Sequence, residues 1–167
     1  NLSGIWGWST DAYAVGWSVV LRFENGVGWV DAGFPSSGVT GVWGTGPTNV
    51  YVAAGPIYHY DGSAWTLETS GTYRAIWGRG PSDIFAVGAN GTAAHFDGSD
   101  WTSETVPTTV TLNAVAAGGS GGVFAVGPDM SIFQRSPGGT WSQEDARAFP
   151  YDLRGLALSG GASAELY

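Results

Sequence analysis

Few side chains in this sequence are equipped for chemistry. There is no cysteine and no lysine, so reactivity rests on two histidines, six arginines and scattered carboxylates. His59 and His95 occupy matched places before an aromatic residue in two similar segments. A zinc site would need at least a third ligand, and the corresponding positions elsewhere hold Arg22 and Gln134. The pair therefore reads as polar contacts at strand edges. Asp11, Asn49 and Asp83 each precede an apolar run, but no dense Asp-x-Asp pattern accompanies them, so they suit turns better than calcium. The sequence points to no metal, no cofactor and no catalytic residues. Arg74 and Arg154, with Tyr73 and Tyr151 beside them, suit binding instead. A guanidinium offers a planar fork of donors for carboxylates or paired sugar hydroxyls, and a tyrosine ring can stack on a sugar face. Asn113 and Trp17 complete the candidate ligand-binding set.

Composition narrows the class. Of 167 residues, 43% are hydrophobic, 12% are charged, 28 are glycine and nine are tryptophan. Low charge with many glycines would suit disorder, but disordered chains lack aromatics. Short strands joined by tight turns fit better. The net charge is −8 with no basic stripe, which argues against nucleic-acid binding and against anionic membranes. No apolar run approaches the roughly 18 residues that span a bilayer. The first residue is Asn1 and no signal-peptide pattern follows, so the sequence reads as processed or excerpted.

The elements that would position these residues repeat along the chain. Leu2-Ser-Gly-Ile-Trp-Gly, Val39-Thr-Gly-Val-Trp-Gly, Tyr73-Arg-Ala-Ile-Trp-Gly, Leu112-Asn-Ala-Val-Ala-Ala and Leu153-Arg-Gly-Leu-Ala-Leu align. Their fifth residues, Trp6, Trp43, Trp77, Ala116 and Ala157, are 37, 34, 39 and 41 apart. In each full copy a turn follows this opening motif, then an apolar run ending in glycine such as Ile84-Phe-Ala-Val-Gly88, then a third run. A further turn and a tryptophan close the copy: Trp29, Trp65, Trp101 or Trp141. Asp61-Gly62 and Asp97-Gly98 are strong hairpin signals, because glycine takes positive φ without steric cost. Four short antiparallel runs, a to d, in about 40 residues make a propeller blade. The expectation is an all-β propeller of four-stranded antiparallel blades with essentially no helix. It has four full repeats (1–38, 39–72, 73–111, 112–152) and a partial one (153–167) in a single segment of a larger ring.

The pattern from Ala75-Ile-Trp-Gly through Pro81-Ser-Asp-Ile-Phe-Ala-Val-Gly to Phe96-Asp-Gly-Ser-Asp-Trp101 resembles propeller repeats of secreted or surface-exposed bacterial proteins. The turn Asp97-Gly-Ser-Asp-Trp101 is similar to a shortened Asp-box, the bacterial-neuraminidase type of repeat. That resemblance implies a secreted or cell-surface setting and a structural role for Asp61 and Asp97. It also raises a glycan-cleaving hydrolase of the sialidase type. Such an enzyme would grip a carboxylate with several arginines and use an acidic and a tyrosine group, but no motif here fixes those roles.

Geometry then divides the blade. The a–b and c–d turns share one face, where the repeated motifs lie, and the b–c and d–a connections share the other, where the copies differ. Binding residues concentrate on loops of a rigid scaffold, so the divergent face is the candidate site. Ser3, Thr40, Arg74, Asn113 and Arg154 open strand a there and would ring a channel mouth. Recurrence in every copy makes Trp6, Trp43 and Trp77, and Trp29, Trp65, Trp101 and Trp141, blade-to-blade core. The sequence ends at Glu165-Leu-Tyr167, matching Asp83-Ile-Phe85 inside strand b. Further repeats or a second chain would complete the ring. The reading is a non-enzymatic binding module for a glycan or a protein partner, with a structural or assembly subunit as the alternative.

Overall fold

Short runs rich in Val, Ile, Tyr and Trp, punctuated by Gly, Asn and Asp, bury themselves as strands of a pleated sheet. The computed structural model describes residues 1–117 and 122–144. Their elements are β-strands and one three-residue 3-10 turn, Ala89–Gly91. The first unit contains β1 (Leu2–Trp8), β2 (Asp11–Gly16), β3 (Val19–Glu24) and β4 (Gly28–Asp31). The second contains β5 (Gly41–Gly46), β6 (Asn49–Ala53), β7 (Gly55–Tyr60) and the first half of β8 (Trp65–Gly80). The second half of β8 opens the third unit, followed by β9 (Asp83–Gly88), β10 (Thr92–Phe96) and β11 (Trp101–Thr105). The fourth comprises β12 (Ala114–Ala117), β13 (Val123–Val126), β14 (Ile132–Arg135) and β15 (Trp141–Gln143). All pairings are antiparallel and follow chain order.

β8 departs from the expected pattern of separate strands d and a. It runs 16 residues unbroken, pairing Trp65 with Tyr60 and then Trp77 with Phe85, while Tyr73 bridges to both Gly55 and Gly88. The second and third units thus share one seven-stranded sheet. The Thr-rich passage Thr66–Thr72 has no proline to stop it, whereas the equivalent passages hold Pro35 and Pro107 and break there.

Strand a is innermost. β1 packs on β5, β5 on β8 and β8 on β12. Together they line a cavity of about 220 Å³ with Gly4, Ile5, Gly41, Val42, Arg74, Ile76, Asn113 and Val115 among its walls. The sheets therefore radiate from a common axis; the described residues do not close a ring.

Each junction between units has its own core, and strand b serves two of them. Period-two alternation sends successive side chains to opposite faces. Val50 and Val52 face the first unit, while Tyr51 and Ala53 face the third. Ile84 and Ala86 face the second unit, while Phe85 and Val87 face the fourth. This explains runs that are apolar on both faces. The Trp-Gly motif also belongs to the junctions. The Trp6 ring lies where a Cβ on Gly44 would come within 3.0 Å, and the Trp43 ring within 2.7 Å of one on Gly78. Glycine at the end of strand b admits the incoming chain: a Cβ on Gly88 would sit 1.9 Å from the Thr72 carbonyl oxygen.

Polar links reinforce the junctions. The Tyr13 hydroxyl donates to the Pro47 carbonyl at 2.8 Å, and the Trp65 indole to the Ala32 carbonyl at 3.0 Å. Between the third and fourth units, Glu104 accepts from Arg135 Nε at 2.8 Å and from the Trp141 indole at 2.8 Å. The carboxylate and guanidinium side chains are only 10% and 11% exposed.

Candidate functional site

The b–c and d–a connections meet in a hollow between the first three units. Trp17 comes from the β2–β3 turn, Gly38 from the passage into β5, Gly55 from the β6–β7 turn, and Thr72, Tyr73 and Arg74 from the middle of β8. With Thr40 they enclose about 250 Å³. Trp17 is 71% exposed and forms an open apolar wall. Arg74 is exposed, and among the described residues its guanidinium has no hydrogen-bond or ion-pair partner. Glu104 is held by Arg135. Arg74 and Thr40 also line the axial cavity, together with Asn113, so the hollow and the channel mouth adjoin at these two residues.

Tyr73 does not present a stacking face. It is 2% exposed and belongs to the core between the second and third units. Burial raises its pKa, opposed by hydrogen bonds with the Thr69 and Ser103 side chains, so it forms the floor of the hollow. Asn113 lines the axial cavity rather than the hollow, and its backbone N–H donates to the Val126 carbonyl at 2.7 Å. Tyr151 and Arg154 lie outside the described residues.

The polar residues that open strand a also do something the sequence did not reveal. The Ser3 hydroxyl reaches the Val39 carbonyl at 3.1 Å, and the Thr40 hydroxyl reaches the Arg74 carbonyl at 2.7 Å. Each such contact ties one unit to the next and fixes the Arg74 backbone from which the guanidinium extends.

The opposite face carries structural chemistry. Asp61 Oδ1 accepts from the amides of Ser63 and Ala64 at 2.8 and 2.9 Å, and those backbone bonds hold its pKa down at about 2. Asp97 does the same with Ser99 and Asp100 at 2.8 and 3.0 Å and is likewise lowered. Gly62 and Gly98 supply the left-handed φ of 99° and 102° that each turn requires. The histidines are cross-strand ties. His59 stacks on Tyr51 with ring centres 4.3 Å apart and bonds Asn49 at 2.6 Å. His95 stacks on Phe85 at 4.5 Å and bonds Asp83 at 2.8 Å. Burial pushes Asp83 up, but hydrogen bonds from Arg79 and His95 outweigh it and leave it below the usual range. Asn49 and Asp83 thus anchor the histidines; their shared place at the start of strand b, beside the histidine-bearing strand, was the available signal. Among the described residues no cluster of His, Asp or Glu is arranged for a metal.

The tryptophans divide. Trp43 and Trp141 are buried, and Trp6, Trp65, Trp77 and Trp101 pack partly buried at junctions. Trp29 departs from the expected core role. It is 46% exposed and meets Phe23 of its own unit edge-on at 5.5 Å. The reason is positional: Trp65, Trp101 and Trp141 pack against the preceding unit, and among the described residues no unit packs on that face of the first.

Radial four-stranded units around an axial cavity define a β-propeller repeat protein. Solved structures share the fold. One is YCF48 bound to D1 peptide, a β-propeller protein matching 80% of this chain and 50% of its own at 16% identity and a TM-score of 0.59. Another is YCF48 from Cyanidioschyzon merolae, matching 81% and 56% at 16% identity and a TM-score of 0.56. The chain spans about half the length of these proteins. At that identity the likeness is one of fold. No known protein family matches the sequence, and no curated protein does.

Proposed function

We propose that the chain is a non-enzymatic propeller module that binds a protein partner, taking an extended acidic segment across the hollow formed by Trp17, Tyr73 and Arg74. One observation carries this reading: an exposed guanidinium with no partner among the described residues and an exposed indole share one concave site. The chain is acidic overall at −8, so Arg74 is a local positive point at which a carboxylate gains a charge-assisted bond. The residues lining the hollow include no carboxylate or histidine to act as acid or base. The likeness to a propeller solved with a peptide bound supports a peptide as the class of ligand. The exposed Trp17 ring supports a second reading, an acidic glycan stacked on the indole. The reading further places the module in a secreted or cell-surface bacterial setting with Asp-box-like blades, on the resemblance of residues 75–101.

A displayed peptide library and a glycan array, each probed with the parent and with Arg74→Ala, test this. The expected result is enrichment of acidic peptides, at least tenfold weaker binding for R74A, and an unchanged melting temperature. Equal binding by R74A would move the site elsewhere. Glycan binding without peptide binding would select the second reading.

A further inference from the structure

Asparagine followed by glycine occurs twice, at Asn25-Gly26 and at Asn90-Gly91. The pairing carries its own chemistry. Glycine has no side chain to shield its backbone nitrogen or restrict its backbone, so that nitrogen can reach the carboxamide carbon of the asparagine before it. Both asparagines are exposed in turns, but the fold treats them differently. Asn90 is held at φ 53° and ψ 39°. Gly91 is buried, its N–H donates to the Val110 carbonyl at 3.3 Å, and its carbonyl accepts from the Val106 N–H at 2.9 Å. A Cβ on Gly91 would lie 2.3 Å from the Val106 carbonyl oxygen, so the passage has no slack. Ring closure there requires the Asn90–Gly91 peptide plane to turn, and the bond to Val110 opposes it.

The β3–β4 turn imposes no such restraint. The Val27 N–H donates to the Glu24 carbonyl at 3.0 Å and closes the turn around Asn25 and Gly26, with Gly26 at φ 81°. Turns of types I and II share that closing bond and differ in the orientation of the central peptide plane, so the Asn25–Gly26 plane can rotate while the turn stays shut. Asn25, Gly26 and Val27 are exposed, and a Cβ on Gly26 would meet nothing within 4 Å. Among the described residues no hydrogen bond engages the Gly26 N–H or the Asn25 side chain. The openness belongs to this kind of turn: Asp61, Ser63, Asp97 and Ser99 are exposed at the matching turns of the second and third units, each of which has a predecessor packed on it.

We propose that Asn25 is a site of spontaneous deamidation, with water as co-reactant, and that the fold protects Asn90. The Gly26 nitrogen gives its proton to a base and bonds to Asn25 Cγ, and the carboxamide nitrogen leaves as ammonia. Water then opens the succinimide at either carbonyl. Cleavage at Cγ leaves aspartate in an unchanged main chain; cleavage at the α-carbonyl routes the main chain through Cγ as isoaspartate. Either product adds a carboxylate to a chain already at −8.

Ageing the folded 167-residue chain in mildly alkaline buffer, followed by peptide mapping with fragmentation that separates aspartate from isoaspartate, tests this. Circular dichroism confirms that the chain stays folded. The expected result is conversion at Asn25 at least tenfold faster than at Asn90, with both products present and a rate that rises with pH. In concentrated urea the two sites should convert at similar rates, because the restraint on Gly91 is gone. An Asn25 that stays intact in the folded chain overturns the proposal, as does conversion of Asn90 at the rate of Asn25. A rate difference that persists undiminished in urea also overturns it, since the fold would then not be what separates the two sites.

Discussion

The first and fourth blades present the same surface in two states. On the fourth, Trp141 is buried, its indole is bonded to Glu104, and Arg135 closes the junction beneath it. On the first, Trp29 stands half in solvent with one aromatic neighbour. The residue type and its place in the repeat are alike; among the described residues the fourth has a preceding blade packed on it and the first does not. A repeated residue in a propeller therefore states what surface a blade offers, and its energetic weight depends on whether a neighbour is there to take it, as expected when stability is a sum of repeat and interface terms.

Removing the buried partners should give the largest effects. Trp141→Ala should cost about 3–5 kcal/mol, and Glu104→Ala a similar amount, about 3–5 kcal/mol, because it strands the Arg135 charge. Trp29→Ala should cost under about 1 kcal/mol. Urea unfolding measures all three, and comparable losses for Trp29 and Trp141 would erase the distinction between the faces. Trp141 and Glu104 share a hydrogen bond, so their double mutant should fall short of the summed single effects.

The glycines sharpen the same contrast at smaller scale. Gly78→Ala pushes a methyl into the Trp43 ring and should cost about 1–3 kcal/mol. Gly7→Ala meets no ring from a neighbouring unit and should cost less, which thermal denaturation can resolve. The smallest effect concerns acid. The folded pKa of Asp61 is about 2, below the roughly 3.9 of an unfolded aspartate. The turn's contribution is therefore complete above the unfolded value and is lost as pH falls toward the folded one. Amide exchange at Ser63 and Ala64 should accelerate over that window. The turn of the fourth blade, where the Gly139 amide donates to the Ser136 carbonyl at 3.0 Å, should not respond.

Much of this architecture was legible because repetition exposes structural need. Trp-Gly, Ala-Val-Gly and Asp-Gly recur since a ring must lie on a bare backbone, a chain must cross a strand end, and a turn must take positive φ. Continuity of β8 was hidden, because no residue in Thr66–Thr72 announces extension as plainly as proline announces a break. Trp17 and Arg74 could be placed on one face from strand order alone, and the structure brings them into one hollow. Burial of Tyr73 could not be read locally: the residue beside an exposed arginine on a strand points the other way, and the neighbouring unit decides what it meets. The exposure of Trp29 had the same cause. Recurrence marked it as core, while coverage is a property of the repeat before it.

Hydroxyl-radical footprinting of the nine tryptophans, read by mass spectrometry, tests the central contrast most directly. In dilute solution Trp17 and Trp29 should oxidise quickly while Trp43 and Trp141 stay protected. Protection of Trp29 equal to that of Trp141 would contradict the account.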